Sequence, residues 1–296
     1  TGHLLTLVNS TGNVTFDNYA GKGAIENKKD GDYEYVINTD SHSGTAKKVD
    51  VTGYRFRNNT NATYASGTDA EVWAGRTKVG NTVTKNKLTV TGGALTHAYG
   101  GYVENHLYDA AGNPLTTGDA DSNTLILAKD AANPSAAAPA VTGSAYGALV
   151  KTKAGSATNN KVDFSAGHVA GSLYGGALTA TGATGAATGN TITITGAATV
   201  GGDVYGGYTT GTGATTGNTV NLGDGTAAGK ITLATGTASV TGTVYGGSGA
   251  TSTNNVLNVN GNATVGNIQH FDKVNFNYDS STTNAANPML TLSGGA

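Results

Sequence analysis

The 296-residue chain has no cysteine, one methionine, one tryptophan and four prolines. Without cysteine there is no disulfide staple, no thiolate zinc site and no cysteine nucleophile. A chain this long without cysteine suits export through an oxidising compartment such as the bacterial periplasm. Charge is also scarce, at 12% of residues with a formal net charge of −2. That balance argues against nucleic acid, which demands a basic face, and against electrostatic docking on anionic membranes. No apolar run approaches the roughly 18 residues that span a bilayer. The opening Thr1-Gly2-His3-Leu4 lacks the basic and apolar regions of a signal peptide. There is no Met at position 1, and Leu290 to Ala296 reads as a strand and turn cut mid-pattern, so a piece of a longer protein is expected.

Large apolar residues are few as well. Leu, Ile, Val and Phe number 52, under a fifth of the chain, whereas 46 Gly, 48 Thr, 29 Asn and 16 Ser make up nearly half. Such apolar poverty goes with disorder only when charge or proline is abundant, and here neither is. Glycine follows no three-residue period, which excludes collagen. Charge is uneven: residues 166–296 hold only Asp203, Asp224, Lys230, Asp272, Lys273 and Asp279.

What is abundant is repetition. The pattern Asn-x-apolar-x-apolar begins at Asn86, Asn123, Asn160, Asn190, Asn218 and Asn255, at intervals of 37, 37, 30, 28 and 37 residues. An aromatic-Gly pattern interleaves with it, at Trp73-Ala74-Gly75, Tyr99-Gly100-Gly101, Tyr146-Gly147-Ala148, Tyr174-Gly175-Gly176, Tyr205-Gly206-Gly207 and Tyr245-Gly246-Gly247. Between them lies a short segment ending in a lone valine: Val169, Val200, Val240 or Val265. Period-2 alternation means strands with one buried face. Self-similarity at this spacing is the mark of a solenoid. The expected fold is therefore all-β, a single-chain right-handed parallel β-helix with about three short strands per coil. Counting units gives ten to twelve coils and a rod roughly 50–60 Å long at the strand spacing of a sheet. A thin shared core needs few large side chains, which accounts for the composition. The asparagines are expected to stack as a hydrogen-bonded ladder or to cap turns. The tyrosines are expected to stack in register, for packing or as an aromatic row for sugars. Residues 1–69, with Lys28-Lys29-Asp30 and Glu34, are read as an N-terminal cap and first coils. Residues 70–296 are read as the repeat helix, with loop insertions at about 103–121 and 128–144. The small-residue loops 177–189 and 208–217 are read as spacers.

Catalysis finds little support. Asn38-Thr39-Asp40 matches one tripeptide of the polygalacturonase-like β-helix enzymes, but there is no Asp-Asp, and Gly167-His168 is followed by Val169. Arg55, Arg57 and Arg76 are the only arginines. Paired carboxylates for acid–base work are not evident, so no enzyme activity, catalytic residue or cofactor is assigned. Asp119-Ala120-Asp121-Ser122-Asn123, with Asp130 at the twelfth position, resembles half of a calcium loop. Thr124 stands where that loop needs Gly, so a solvated acidic loop is preferred and no metal ligand is assigned. His3, His42, His97, His106, His168 and His270 are scattered, with His97 and His106 the closest pair in sequence. The outward Thr ranks, as in Thr191-Ile192-Thr193-Ile194-Thr195, suggest ice binding, but Asp163, Asn221 and Asn258 break them.

Tandem Val-Tyr-Gly-Gly (Val204 to Gly207, Val244 to Gly247), Asn-Thr-Val and Asn-Thr-Ile strands, the lack of cysteine and the Thr/Gly/Asn/Ala bias resemble the passenger region of Gram-negative type V autotransporter adhesins. The resemblance covers roughly 70–296. It implies an extracellular rod on the bacterial surface, held through an outer-membrane barrel that this sequence does not contain. It implies adhesion to host cells, other bacteria or sister copies, through protein or glycan receptors. The expected contact regions are the 103–121 and 128–144 loops and the charged N-terminal part, including Tyr54, Arg55 and Arg57. The alternatives are a purely structural stalk of a larger surface protein and a β-helix polysaccharide-degrading enzyme.

Overall fold

A computed structural model describes residues 33–39, 49–55, 61–77, 80, 82–105, 117–223, 238–277 and 288–294. Among them there is no helix, and the regular structure is all β-strand. Seventeen strands form one large sheet whose pairings are parallel. This arrangement is compatible with a parallel solenoid.

The Asn-x-apolar-x-apolar segments make a first file of strands. Asn61–Tyr64, Lys87–Val90, Thr124–Leu127, the start of Lys161–Val169, the start of Thr191–Val200, Thr219–Leu222, Val256–Val259 and Lys273–Phe276 pair one after another. Alternation places their apolar positions inward. Leu88, Leu125, Val162, Ile192, Val220 and Leu257 follow one another in register. All six are fully buried, so the expected single narrow column is present. Burying each such side chain is worth about 1.5–3 kcal/mol. The described first file counts eight strands, against ten to twelve coils expected for the whole chain.

The lone-valine and aromatic-Gly stretches make a second file. Its strands include Thr68–Thr77, Ala94–Val103, Ala145–Val150, Leu173–Leu178, Val204–Thr209, Ala238–Ser248 and Ala263–Gln269. Leu95, Val141, Val169, Val200, Val240 and Val265 stack in register and close the main core opposite the first file. A third file of very short strands went unseen in the sequence. It comprises Val83–Thr84, Ala120–Asp121, Ala157–Thr158 and Ala187–Thr188, then Ala214–Thr216 with Thr251–Thr253. Val83, Ala120, Ala157 and Ala187 bury a second core with Val103, Val150 and Leu178. Ala120–Asp121 and Ala140–Val141 fall inside the two stretches read as loop insertions, so those loops are shorter than expected.

The chain enters six of the eight first-file strands through one buried asparagine. Asn86 N–H and Nδ2 both donate to Asn123 Oδ1, at 3.1 and 3.0 Å. The same pair of bonds links Asn123 to Asn160, Asn160 to Asn190, Asn190 to Asn218 and Asn218 to Asn255. The expected ladder is there. The residue before each of the six asparagines is left-handed: Lys85, Ser122, Asn159, Gly189, Gly217 and Asn254, with φ between 54° and 65°.

Tyr33–Thr39 and Val49–Arg55 form an antiparallel pair outside the large sheet, which itself begins at Asn61–Tyr64. Lys28-Lys29-Asp30 of the expected cap lies outside the described residues. At the other end the layer from Asn255 to Asp272 takes only 17 residues and has no third-file strand. The last inward positions, Val274, Phe276 and Leu292, are exposed.

The left-handed entry turn can be tested in isolation. A Cβ at Gly217 would meet nothing within 4 Å, so substitution there acts through backbone conformation alone. Gly217→Ala should cost about 1 kcal/mol, because an L-residue resists this region by about 1–2 kcal/mol while Ala lowers unfolded-state entropy. Lys85→Gly should be neutral or stabilising by up to about 1 kcal/mol for the converse reason. Denaturant unfolding midpoints check both.

Candidate functional site

The densest chemistry lies on the outer surface of the second file. Alternation turns Tyr99, Tyr146, Tyr174, Tyr205 and Tyr245 outward at one register position. Successive rings are stacked with centroids 5.1, 4.7, 5.1 and 4.8 Å apart and planes within 11° of parallel. The expected aromatic ladder is therefore present. Each inner ring has both faces covered by its neighbours. Sugars stack on free ring faces, so the ladder offers a ligand only ring edges and hydroxyls, which weakens the sugar-row alternative. Trp73 precedes the tyrosines in register, Gln269 follows Tyr245, and the ring of the next residue, His270, lies 5.6 Å from Tyr245.

A polar file runs two residues ahead of the rings. Backbone N–H groups of Ser144, Ser172, Asp203 and Thr243 donate to His97 Nδ1, Ser144 Oγ, Ser172 Oγ and Asp203 Oδ1 of the preceding layer, at 3.1, 3.1, 3.2 and 2.7 Å. Two carboxylates of this surface also accept phenol hydrogen bonds: Tyr205 Oη donates to Asp203 Oδ2 at 3.0 Å, and Tyr99 Oη to Glu71 Oε1 at 3.3 Å.

One end of the stack is charged. Arg76 lies over Trp73 at 4.5 Å and over Tyr102 at 4.9 Å, and Lys151 lies 5.3 Å from the Tyr102 ring. Arg76 pairs with Glu104 at 3.0 Å, and Tyr102 Oη donates to the other Glu104 oxygen at 2.9 Å. Arg76 and Glu104 are both largely buried, so each partner offsets the other's desolvation. The cluster stands at the end of the Ala94–Val103 strand, where Glu104 N donates to Thr77 O and Gly80 N to Glu104 O.

Burial is the main cause of perturbed tyrosine acidity here. It pushes the Tyr174 phenol up to about 12, helped by neighbouring Tyr146. Tyr99 and Tyr102 are raised first by burial, then by Glu71 and Glu104 respectively. Tyr146 is raised by burial, and Tyr205 by burial and by Asp203.

No family model, curated protein or solved structure matches the chain.

The residues singled out in the sequence are mostly apart from this surface. Tyr54 and Arg55 lie on the Val49–Arg55 strand, and Arg57 lies outside the described residues. Of the 103–121 stretch, residues 106–116 lie outside the described part. In the 128–144 stretch, residues 131–135 are exposed, with Asp130 Oδ1 accepting Ala132 N–H and Asn133 O accepting Ala136 N–H. The acidic pair is committed to strand register. Asp119 Oδ1 accepts Ser156 N–H, and Asp121 Oδ1 accepts from Thr158 Oγ1 and Asn159 Nδ2. Burial alone would raise the Asp121 carboxyl, but hydrogen bonds from Thr158, Asn159 and Ser122 outweigh it and hold the group below its ordinary value. Among the described residues no group of three or more His, Asp or Glu could hold a metal ion. His168 Nδ1 meets Thr199 Oγ1, His270 Nδ1 meets Gly247 O, and His106 lies outside the described residues. Asn38 and Thr39 end a strand, and Asp40 lies outside the described residues. No described helix is long and apolar enough to cross a membrane. The sequence reading missed the Arg76–Glu104 cluster, although Trp73-x-x-Arg76 on one strand followed by Tyr102-x-Glu104 on the next carried the signal.

The raised phenols fix an alkaline limit. Folded-state values lie above the ordinary tyrosine value near 10, so the unfolded chain ionises first. Stability from the stack is complete below about pH 10 and is lost as pH climbs toward about 12 and beyond. Unfolding midpoints measured from pH 8 to 12, alongside phenolate absorbance, should fall only above about pH 10. Tyr146→Phe with Tyr174→Phe should flatten that fall.

Proposed function

We propose that the chain is a right-handed parallel β-helix with about three strand files per coil, and that it serves as the rigid rod of a bacterial cell-surface adhesin. The rod holds binding loops away from the cell. One observation carries this reading: the ladder is indifferent to loop length. Asn190 and Asn218 are 28 residues apart, Asn123 and Asn160 are 37 apart, and both pairs join with the same 3.1 Å amide bond. The extra residues go to corners, such as the exposed 131–135 turn after Thr124–Leu127. A scaffold that keeps its register while its corners vary is how loops on rigid frames carry recognition.

The reading assigns no catalysis. The carboxylates best placed for acid–base work are occupied: Glu104 by Arg76 and Tyr102, Asp203 by Tyr205 and Thr243, Asp121 by Thr158 and Asn159. The partner is a protein or glycan on host or bacterial cells, or a sister copy. Extracellular display and attachment through an outer-membrane barrel follow from the likeness to autotransporter passengers.

Shortening the loops within 103–121 and 128–144, while sparing Ala120–Asp121 and Ala140–Val141, should abolish binding of the purified chain to cells and leave its melting temperature nearly unchanged. Full binding by the shortened chain would move recognition elsewhere and favour the stalk.

A further inference from the structure

The stacked tyrosines have a chemistry that adhesion does not use. With no cysteine and one methionine, Met289, which is itself largely buried, the usual sinks for oxidants are missing. Oxidation must fall mainly on phenols and the single indole. Five of those phenols form an unbroken column at 4.7–5.1 Å, close enough for an electron vacancy to pass from ring to ring.

The column is electrically uneven. At one end, Arg76 covers Trp73 and Tyr102 at 4.5 and 4.9 Å, with Lys151 5.3 Å from Tyr102. A cation lying directly over those rings raises the cost of removing an electron there, although Glu104 pairs with Arg76, and the Tyr99 phenol reaches its own acceptor, Glu71, at the longer distance of 3.3 Å. Towards the other end, Tyr205 donates its phenolic hydrogen to Asp203 Oδ2 at 3.0 Å. A proton acceptor within hydrogen-bond reach is what a phenol needs in order to lose an electron and a proton together. Tyr205 also lies 4.8 Å from Tyr245 with planes 3° from parallel, one of the closest and flattest contacts in the column.

We propose that the tyrosine column is an oxidative cross-linking site, at which peroxidase-type one-electron oxidants, with hydrogen peroxide as terminal electron acceptor, join Tyr205 to Tyr245 as an intramolecular dityrosine. In the first step Tyr205 gives an electron to the oxidant and its phenolic proton to Asp203, leaving a phenoxyl radical. A second one-electron oxidation makes a radical on Tyr245, whose proton goes to solvent. The two neighbouring radicals couple between ortho carbons, and the rings turn out of the parallel stack as the new carbon–carbon bond comes to lie in both ring planes. Each ortho hydrogen then moves as a proton to its own ring's oxygen, restoring two phenols. The pair has lost two electrons and two protons in all, and one hydrogen peroxide takes them up to give two waters. The product is a covalent staple between adjacent layers.

The test treats the intact folded chain with a peroxidase and hydrogen peroxide. Dityrosine fluorescence should rise while the protein stays monomeric and becomes lighter by two hydrogens. Digestion should give one joined peptide pair, carrying Tyr205 and Tyr245. Tyr205→Phe should remove that pair. Asp203→Asn, in a chain whose circular dichroism and melting temperature show it folded, should slow its formation severalfold. Asp203 acts here as the proton acceptor, and substitution of Asp130, far from Tyr205 and Tyr245 in sequence and bonded only within its own turn, should leave the rate unchanged. Cross-links that are chiefly between molecules, that form equally well in denaturant, or that join tyrosines outside the column would overturn the proposal.

Discussion

The structure depends on a single buried amide per layer. In each ladder asparagine after Asn86 the oxygen accepts two hydrogen bonds from the preceding layer, one from backbone N–H and one from the neighbouring Nδ2. The second Nδ2 hydrogen goes to a third-file carbonyl: Val83 O for Asn123, Ala120 O for Asn160, Ala157 O for Asn190, Ala187 O for Asn218 and Thr215 O for Asn255. An amide has two donors and a two-lone-pair acceptor, so it can meet all these demands at once. Aspartate would lack the donors, and serine could not span both neighbours. Since an orphaned buried polar group costs about 1–3 kcal/mol, the ladder fixes the stacking order strongly. At Asp272 the series ends with a residue that accepts Asn255 N–H at 3.0 Å but has no hydrogen to pass on when ionised.

The glycines follow from the ladder. A Cβ on the second glycine of the aromatic motif would lie 2.6 Å from Asn123 Nδ2 at Gly101, 2.7 Å from Asn190 Nδ2 at Gly176 and 2.6 Å from Asn218 Nδ2 at Gly207. A Cβ on the first would lie 2.5 Å from the carbonyl of the next layer's glycine, at Gly100 and at Gly175. The aromatic ring outside, the bare backbone and the asparagine inside are thus one device in these layers, whereas Ala148 carries a Cβ at the same register position with the Asn160 bonds kept. Outward positions of the first file are less constrained, yet Asn258 and Asn275 extend a second amide row from Asn221, which itself donates to Thr193.

The repeat was legible because each layer contributes an asparagine at a fixed place and aliphatics at two-residue spacing. Those signals mark the inward column from Leu88 to Leu257 and the tyrosine stack. The third file was not legible, because a two-residue Ala-Thr strand such as Ala157–Thr158 has no period to detect and few atoms to bury. The entry turns were hidden for another reason: Lys85 and Ser122 adopt the same conformation as Gly189 and Gly217, so residue identity did not mark it. At the surface, the sequence pointed to loops and to Tyr54, Arg55 and Arg57, whereas the strands gather Trp73, Arg76, Tyr102, Glu104 and Lys151. That cluster draws on three layers, and only the inter-layer register brings its members together.

The central claim is that register, and the absence of native cysteine makes it directly measurable. Thr193 and Asn221 are paired partners on the outer face, with Asn221 Nδ2 donating to Thr193 Oγ1 at 3.1 Å. Neighbouring strands stand about 4.8 Å apart, within the Cα range a disulfide accepts, whereas Thr193 and Asn258 are two layers apart at about 9.6 Å. A chain carrying Thr193→Cys and Asn221→Cys should form an intramolecular disulfide in air, and one carrying Thr193→Cys and Asn258→Cys should not. Failure of the first pair, or equal bonding in both, would contradict the stacked register on which everything else rests.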